Sequence, residues 1–390
     1  MYWESKPDAS NYLVKDAMSK KTFSSIIRHN VFVTTDLNPN DKFWKVRPLF
    51  DQLNQSAQKW VKHPENVCID KAMIKYYGPH PLKQFMKGKP CRFGYLVWVL
   101  ASPRGELLAC QPYGGSKTFV TDYGLGQGPN VVMSLAEQYN LLPGTKVYVD
   151  NLFTSLDLLD HMGKKGLGVT GTMRMNRMIG IPPPTKKEAI HTLKRGETKA
   201  VYTTDMMVCV WKDNKPVYMA SNVDDIVPYG NCERYSKEKK GYAAVSQPNV
   251  VKQYNHNMGG VDLLDNSEKN YAITTRVKKW YWLIYVWFLN VSMIQAWRLY
   301  RAHMAERHRL ARVGLKISDA EMKKMRTEEK KIEEIPLLGF IRQVVEHIFK
   351  KNSDQTRQRS QSRQSRTSEA VLSDIRFDSE GHLVRFTDRR

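Results

Sequence analysis

Lys146-Val147-Tyr148-Val149-Asp150-Asn151-Leu152-Phe153-Thr154-Ser155 is the stretch on which the fold turns. Lys146 to Asp150 reads as a short strand closed by an aspartate. Thr154 to Lys165 follows as a helix, with Leu156, Leu159 and Met162 at core spacing. Upstream, Gly128-Pro129-Asn130 opens a helix with Val131, Val132, Leu135 and Ala136 on one side, and Pro143-Gly144 is expected to end it. Downstream, Gly168 to Thr172 is a further strand.

The pattern extends outward on both sides. The run Asn66-Val67-Cys68-Ile69-Asp70 is apolar and also ends in an aspartate. Arg92 to Leu100 is rich in β-formers, Ser102-Pro103-Arg104-Gly105 signals a turn, and Glu106 to Tyr113 reads as the returning strand. The order is a β-hairpin followed by α, β, α and β. This is the order of an RNase H-like α/β core, though many α/β folds share it. The expected division is a helical segment at 1–65, the core at 66–172, a β-rich insertion at 173–247, the last part of the core at 248–267, a second helical part at 268–335, and a basic tail at 336–390. Within the first segment, residues 11–35 and Lys42 to Val61 carry helical periodicity. The insertion holds Ile181-Pro182-Pro183-Pro184 and extended runs at Lys199–Thr204, Met206–Trp211, Lys215–Asn222 and Gly241–Val245. In the tail, 337–349 reads as an amphipathic helix. Residues 351–370 lack any large apolar side chain and are expected to be disordered.

Composition narrows the partners. Lys and Arg number 61 against 39 Asp and Glu, a net charge of +22, which points to a polyanion and first to nucleic acid. The five cysteines, Cys68, Cys91, Cys110, Cys209 and Cys232, include no CxxC pair. That argues against a disulfide framework and against a structural zinc site, and fits cytosol or nucleus. The start, Met1-Tyr2-Trp3-Glu4-Ser5-Lys6, is not a signal peptide. Trp280 to Trp297 is apolar and flanked by basic residues, but it carries Asn290, Ser292 and Gln295, and a membrane span needs about 20 apolar residues. A buried core helix is the better reading, and no membrane partner is expected.

The aspartates suggest chemistry. Asp70 and Asp150 both end apolar β-like runs, and ligand sites in open α/β sheets lie beyond the carboxyl ends of strands. Asp262 and Asp265, after Gly259-Gly260, are three apart and would share one helix face. Carboxylates converging from separate segments suit two hard divalent ions in phosphoryl transfer. A single Asp at a strand end is more often a turn former or N-cap, and Asp265 alone reads as a solvated helix residue; only the set points to chemistry. Basic residues supply candidate phosphate contacts: Lys83, Lys87, Lys89 and Arg92 after the first aspartate, and Arg276, Lys278, Lys279, Arg298 and Arg301 around the aromatic helix. The alternative for each is a solvated face over a Trp/Tyr core.

Read together, these segments resemble the piggyBac transposase family. The resemblance runs from about Tyr2-Trp3 to Arg301 and is carried by four blocks: Asp41-Lys42 with Lys45-Val46-Arg47-Pro48-Leu49, Val147 to Ser155, Tyr254 to Asp265, and Arg276 to Trp282 with Ala296 to Tyr300. It implies an RNase H-like core with an inserted domain, flanked by a helical dimerisation and DNA-binding domain. It also implies Asp70, Asp150 and Asp262 as catalytic, metal-binding aspartates with Asp265 as the accessory one. The implied cofactor is Mg²⁺ or Mn²⁺. The implied partners are double-stranded DNA at transposon ends and TTAA targets and a second copy of the chain, in the nucleus.

Two departures qualify the resemblance. Lys71 stands where the family usually has a glutamate, and its ammonium would either compete with a metal or point away along the strand. The segment Phe377 to Arg390 resembles the lead into the family's cysteine-rich zinc finger, which is expected to be missing. Two functions therefore stand: a metal-dependent DNA strand transferase, and a domesticated, transposition-defective DNA-binding or chromatin protein. A membrane-surface protein is a weaker third, resting on basic charge and the 280–297 helix alone.

Overall fold

The computed structural model describes residues 2–4, 6, 10–29, 41–88, 91–115, 118, 121–178, 185–236, 240–273, 279–312, 327 and 335–363. The chain divides into two units: Pro39–Phe43 with Leu49–Gln295, and Met1–Asn38 with Trp44–Pro48 and Ala296–Arg390.

The second of these units is helical. α1 (Tyr12–Ala17) and α2 (Lys20–His29) replace the single helix expected over 11–35, whose last six residues lie outside the described ones. The break has a local cause. Met18 is extended, and the Ser19 hydroxyl accepts the Thr22 N–H at 3.0 Å, which caps a new helix. Trp3 packs against Phe23, with ring centroids 5.1 Å apart, and its indole N–H donates to the Met18 carbonyl at 2.8 Å, joining the two helices.

The larger unit is a sheet with helices on both faces. α3 (Arg47–Trp60) follows a single 3₁₀ turn at Trp44–Val46 and buries Leu49, Phe50, Leu53 and Ala57. Then come β1 (Asn66–Lys75), β2 (Gln84–Phe85), β3 (Phe93–Ala101), β4 (Leu107–Pro112), α4 (Gln127–Tyr139), β5 (Lys146–Val149), α5 (Leu156–Lys164) and β6 (Gly168–Thr172). α4 ends earlier than expected, because Asn140 adopts the left-handed conformation (φ 58°) that asparagine tolerates, three residues before Pro143.

β1 is longer than the sequence suggests. Asp70 does not end it. Pairing with β3 runs antiparallel from Cys68↔Ala101 to Lys75↔Gly94, whereas parallel pairing with β5 stops at Ile69↔Val149. Asp70 therefore ends the parallel ladder and sits inside the antiparallel one. β3 is buried at every residue from Gly94 to Ala101. Its continuous apolar run goes with cover by α4 and by a later helix, both of which pack on it.

The segment after β6 supplies α6 (Lys186–Thr192), β7 (Thr198–Tyr202), β8 (Met207–Lys212) and β9 (Pro216–Ser221), then β10 (Gly230–Ser236) and β11 (Gly241–Gln247). β9 pairs with β6 and carries β8 and β7 outward, so the main sheet runs β2-β3-β1-β5-β6-β9-β8-β7 with β4 on β3. β10 and β11 form a separate hairpin, held to β8 and β9 through a core of Met207, Cys209, Trp211, Met219 and Val245. Asp213 also ties it, accepting Arg195 at 3.1 Å and Arg234 at 2.9 Å.

The chain then forms α7 (Asn249–Asn257), α8 (Gly260–Asn270) and α9 (Trp280–Arg312). α7 packs on β1, β6 and β9, and α8 packs on β1 and β3. α9 begins as the core helix expected: Trp282, Ile284, Val286, Trp287, Val291 and Ile294 are buried. Trp280 meets Phe43, His80 and Tyr95, and Trp287 meets Phe50 at 5.9 Å. No described helix is long and apolar enough to cross a membrane. Two of the polar residues that interrupt the apolar run of α9 have partners. Asn290 donates to Glu268 at 3.1 Å, and Gln295 exchanges two hydrogen bonds with the Leu107 backbone, both at 2.8 Å. Asn54 does the same for Cys110 at 2.8 and 3.1 Å.

α10 (Leu337–Arg363) corrects the disorder expected from residue 351 onward as far as Arg363; residues 364–370 lie outside the described ones. The run 351–363 contains no Gly or Pro and is rich in Gln and Arg, good helix formers that extend a helix already started at Leu337.

At the amino end of the parallel strands, Asp224 is buried and accepts Lys146 at 2.9 Å, Tyr148 Oη at 3.1 Å and Thr170 Oγ1 at 2.8 Å. Those donors come from β5 and β6, and one carboxylate satisfies all three. Asp224→Ala would leave the Tyr148 and Thr170 hydroxyls buried without it. We expect a loss of about 2–4 kcal/mol in stability, read by urea unfolding of the two proteins.

Candidate active site

The site is built where β5 leaves the sheet. Because Ile69 is paired in parallel with Val149, Asp70 and Asp150 are the residues that follow on the two chains where the parallel ladder ends. Asp150 opens a tight turn. Its Oδ1 accepts the Leu152 N–H at 2.7 Å, and its carbonyl accepts Thr154 Oγ1 at 2.8 Å and the Phe153 N–H at 3.1 Å. The turn packs closely on β6: a Cβ on Gly171 would stand 2.2 Å from Thr154 Oγ1.

α8 brings the third aspartate. Asp70 and Cys68 share a face of β1, being two apart. On that face the start of α8 is pressed against the strand. A Cβ on Gly260 would lie 2.9 Å from Cys68 Sγ and 2.1 Å from the Ser102 carbonyl oxygen, so only glycine lets the helix approach. Asp262, in the first turn of α8, is exposed. Burial pushes the Cys68 thiol up to about 12, and the charges of Asp70 and Asp262 add to it. Cys68 is thus a protonated packing residue between two aspartates and no nucleophile. Tyr254 on α7 closes the other side. Burial raises its phenol to about 12, with Asp150 and Asp70 contributing.

Asp265 lies a turn further on. Its side chain is 13 % exposed and stands 3.8 Å from Lys269. Its charge acts on the Cys91 thiol, which burial raises first of all and which Lys269 and Lys75 offset. Asp70, Asp150 and Asp262 are thus grouped around Cys68 and Tyr254, whereas Asp265 faces the Lys75 end of β1.

The donors are hard carboxylates from three elements and in kind suit Mg²⁺ or Mn²⁺. In place, they are not closed on an ion. Among the described residues no group of three or more His, Cys, Asp and Glu is gathered closely enough to hold one. Lys71 does not point away along the strand: its Nζ stands 3.2 Å from Asp150 Oδ2.

The basic residues fall in several places. Lys83, Lys87 and Arg92 surround β2; Lys87 and Arg92 are exposed, and Lys83 lies 5.8 Å over Phe93. Lys279 lies 5.8 Å over Tyr281. In the helical unit, Arg298 and Arg301 stack on Trp297 at 5.6 and 5.0 Å. Lys89, Arg276 and Lys278 are outside the described residues. Two arginines escaped the sequence reading. After β6, Arg174 donates to Asn151 Oδ1 at 3.1 Å, and Arg177 donates to the carbonyls of Leu152 (2.8 Å) and Thr154 (3.0 Å). Arg177 thereby braces the Asp150 turn, and Arg174 is exposed beside it. The signal was available in Arg174-Met175-Asn176-Arg177, at the carboxyl end of a strand parallel to β5.

A family model described as Transposase IS4 matches residues 1–297. Two human relatives are piggyBac transposable element-derived protein 3, 35% identical over 310 residues, and piggyBac transposable element-derived protein 2, 30% identical over 396. The chain belongs to the piggyBac-type transposase family. The matches cover 78% and 100% of the chain but 52% and 61% of those relatives, so the chain spans little more than half their length. A solved piggyBac transposase, in a synaptic complex with hairpin DNA, matches with a TM-score of 0.63 at 20% identity, covering 94% of this chain and 72% of the other. This piggyBac-type chain therefore has the RNase H-like α/β fold expected from the order of its elements.

Gly260 is the contact that sets the third aspartate. Gly260→Ala is expected to push α8 off β1 and cost about 1–3 kcal/mol. Loss of amide-exchange protection in Gly260–Asn270 ahead of global unfolding would show it; unchanged protection would contradict the close packing.

Proposed function

We propose that the chain acts on double-stranded DNA as a piggyBac-type strand transferase, with Asp70, Asp150 and Asp262 at the reacting centre and Asp265 in support. The observation that carries this is the register of β1 and β5. Asp70 and Asp150 are the next residues after that parallel ladder ends, and α8 begins against β1 with Asp262 in its first turn. A bound divalent ion would supply Lewis-acid activation of water and of the scissile phosphate. The chain's own part is positioning. The Asp150 turn is pinned by Leu152, Thr154 and Arg177, and Arg174 offers a guanidinium to a phosphate next to it.

On this reading water opens one strand at a transposon end, the freed 3′-OH attacks the opposite strand to give a hairpin, and the excised end joins a TTAA target. The net charge of +22 suits the polyanionic partner. A homodimer working in the nucleus completes the proposal.

A second reading is favoured by one contact. Lys71 neutralises Asp150, which suits a chain that keeps the fold and binds DNA without transposing it. Incubation with Mg²⁺ or Mn²⁺ and DNA carrying transposon ends separates the two. Nicks and hairpins that fall at least roughly 100-fold in Asp150→Asn support the transferase. Salt-sensitive binding with no product supports the second reading. In either case Arg174→Ala is expected to weaken binding alike on all sequences and to lower the salt slope by about 1, measured by fluorescence anisotropy.

A further inference from the structure

β1 presents Asp70 and Lys71 in succession, so their side chains leave opposite faces of the sheet. The Lys71 side chain is only 14 % exposed. Its Nζ stands 3.2 Å from Asp150 Oδ2 and 5.6 Å from the centre of the Phe153 ring, which is fully buried. The other Asp150 oxygen already holds the Leu152 N–H. An ammonium held over an aromatic ring and a backbone donor thus converge on one carboxylate. Asp150 itself is 28 % exposed, so solvent screens this pair less than one on the open surface.

A metal ion bound to Asp150 would sit about 2 Å from a carboxylate oxygen. Lys71 holds a like charge within a few ångströms of that place. We propose that Lys71 is a built-in counter-ion for Asp150: it keeps the turn in shape without metal and sets the affinity of the site for divalent cations low. The proposal rests on the reading of Asp150 as a metal-binding carboxylate. It makes Lys71 a positioning and affinity-setting residue rather than a catalytic one.

Mn²⁺ binding to the full chain, followed by the free-ion signal in electron paramagnetic resonance, tests it. Lys71→Met keeps the stem and removes the charge; Lys71→Arg keeps the charge. We expect Lys71→Met to bind Mn²⁺ at least about tenfold more tightly than the unsubstituted chain, Lys71→Arg to bind as the unsubstituted chain does, and the gain to vanish when Asp150→Asn is added. The melting temperature of Lys71→Met should also rise with Mn²⁺ more than that of the unsubstituted chain. Should Lys71→Met fail to fold, Lys71→Gln takes its place in both measurements. Equal Mn²⁺ affinity with and without the Lys71 charge, abolished in both by Asp150→Asn, would overturn the role of Lys71 and leave the acidic site standing. Affinity indifferent to Asp150→Asn in every background would remove Asp150 as a ligand, and this proposal with it.

Discussion

The parallel ladder between β1 and β5 is the constraint on which the rest depends. It is four residues long, from Asn66↔Lys146 to Ile69↔Val149. A strand shifted by one residue turns every side chain to the opposite face. Here a slip would bury Asp150 or turn Asp70 away from α8. The register is held at its amino end by the Asp224 network and at its carboxyl end by the turn that Arg177 braces. β1 continues past the end of the ladder because β3 still pairs with it, whereas β5 turns away. The space beside β1 beyond Ile69 is the place the sheet leaves for chemistry, and α7 and α8 line it from one face.

Charge is distributed against the trend of the whole chain. A protein of net charge +22 concentrates carboxylates at one point of its sheet and places cations around them. Arg174 and Arg177 follow β6, and Lys71 lies on β1 itself. In this arrangement the Asp150 carboxylate is already balanced by Lys71. The aromatic residues of α9 take no part in this. Trp280 and Trp287 close the core over Phe43, Phe50 and Tyr95.

Much of the fold was legible in sequence, because local signals and tertiary packing agree along the core. The hairpin of β3 and β4, α5 after Asp150, and the buried start of α9 follow from apolar period and turn chemistry alone. The length of β1 was not legible. Its continuation beyond Asp70 depends on a partner strand twenty residues downstream, which no local pattern reports. The helix over 351–363 was missed because burial was weighed and intrinsic propensity was not. Around the candidate site, the strand and helix positions of Asp150 and Asp262 were readable from their motifs, but the direction of Lys71 was not. Alternation sends it to the other face of the strand, and only the curl of the turn after Asp150 brings a carboxylate to meet it. Arg174 and Arg177 were hidden for a similar reason: their partners are backbone carbonyls, and these leave no trace in side-chain patterns.

The paired amides on β4 have a consequence of their own. β4 pairs with β3 alone, so its far side is a row of backbone donors and acceptors with no strand beyond. Asn54 and Gln295, reaching in from α3 and α9, each take up one N–H and one carbonyl there, as a neighbouring strand would. An uncovered strand edge is a template for another chain. Two side chains on helices thus act as a counterfeit strand that terminates the sheet. The edge of β4 is thus closed to pairing with another strand at Leu107 and Cys110. Self-association must then use surfaces chosen for it, and not an accident of unfinished hydrogen bonding.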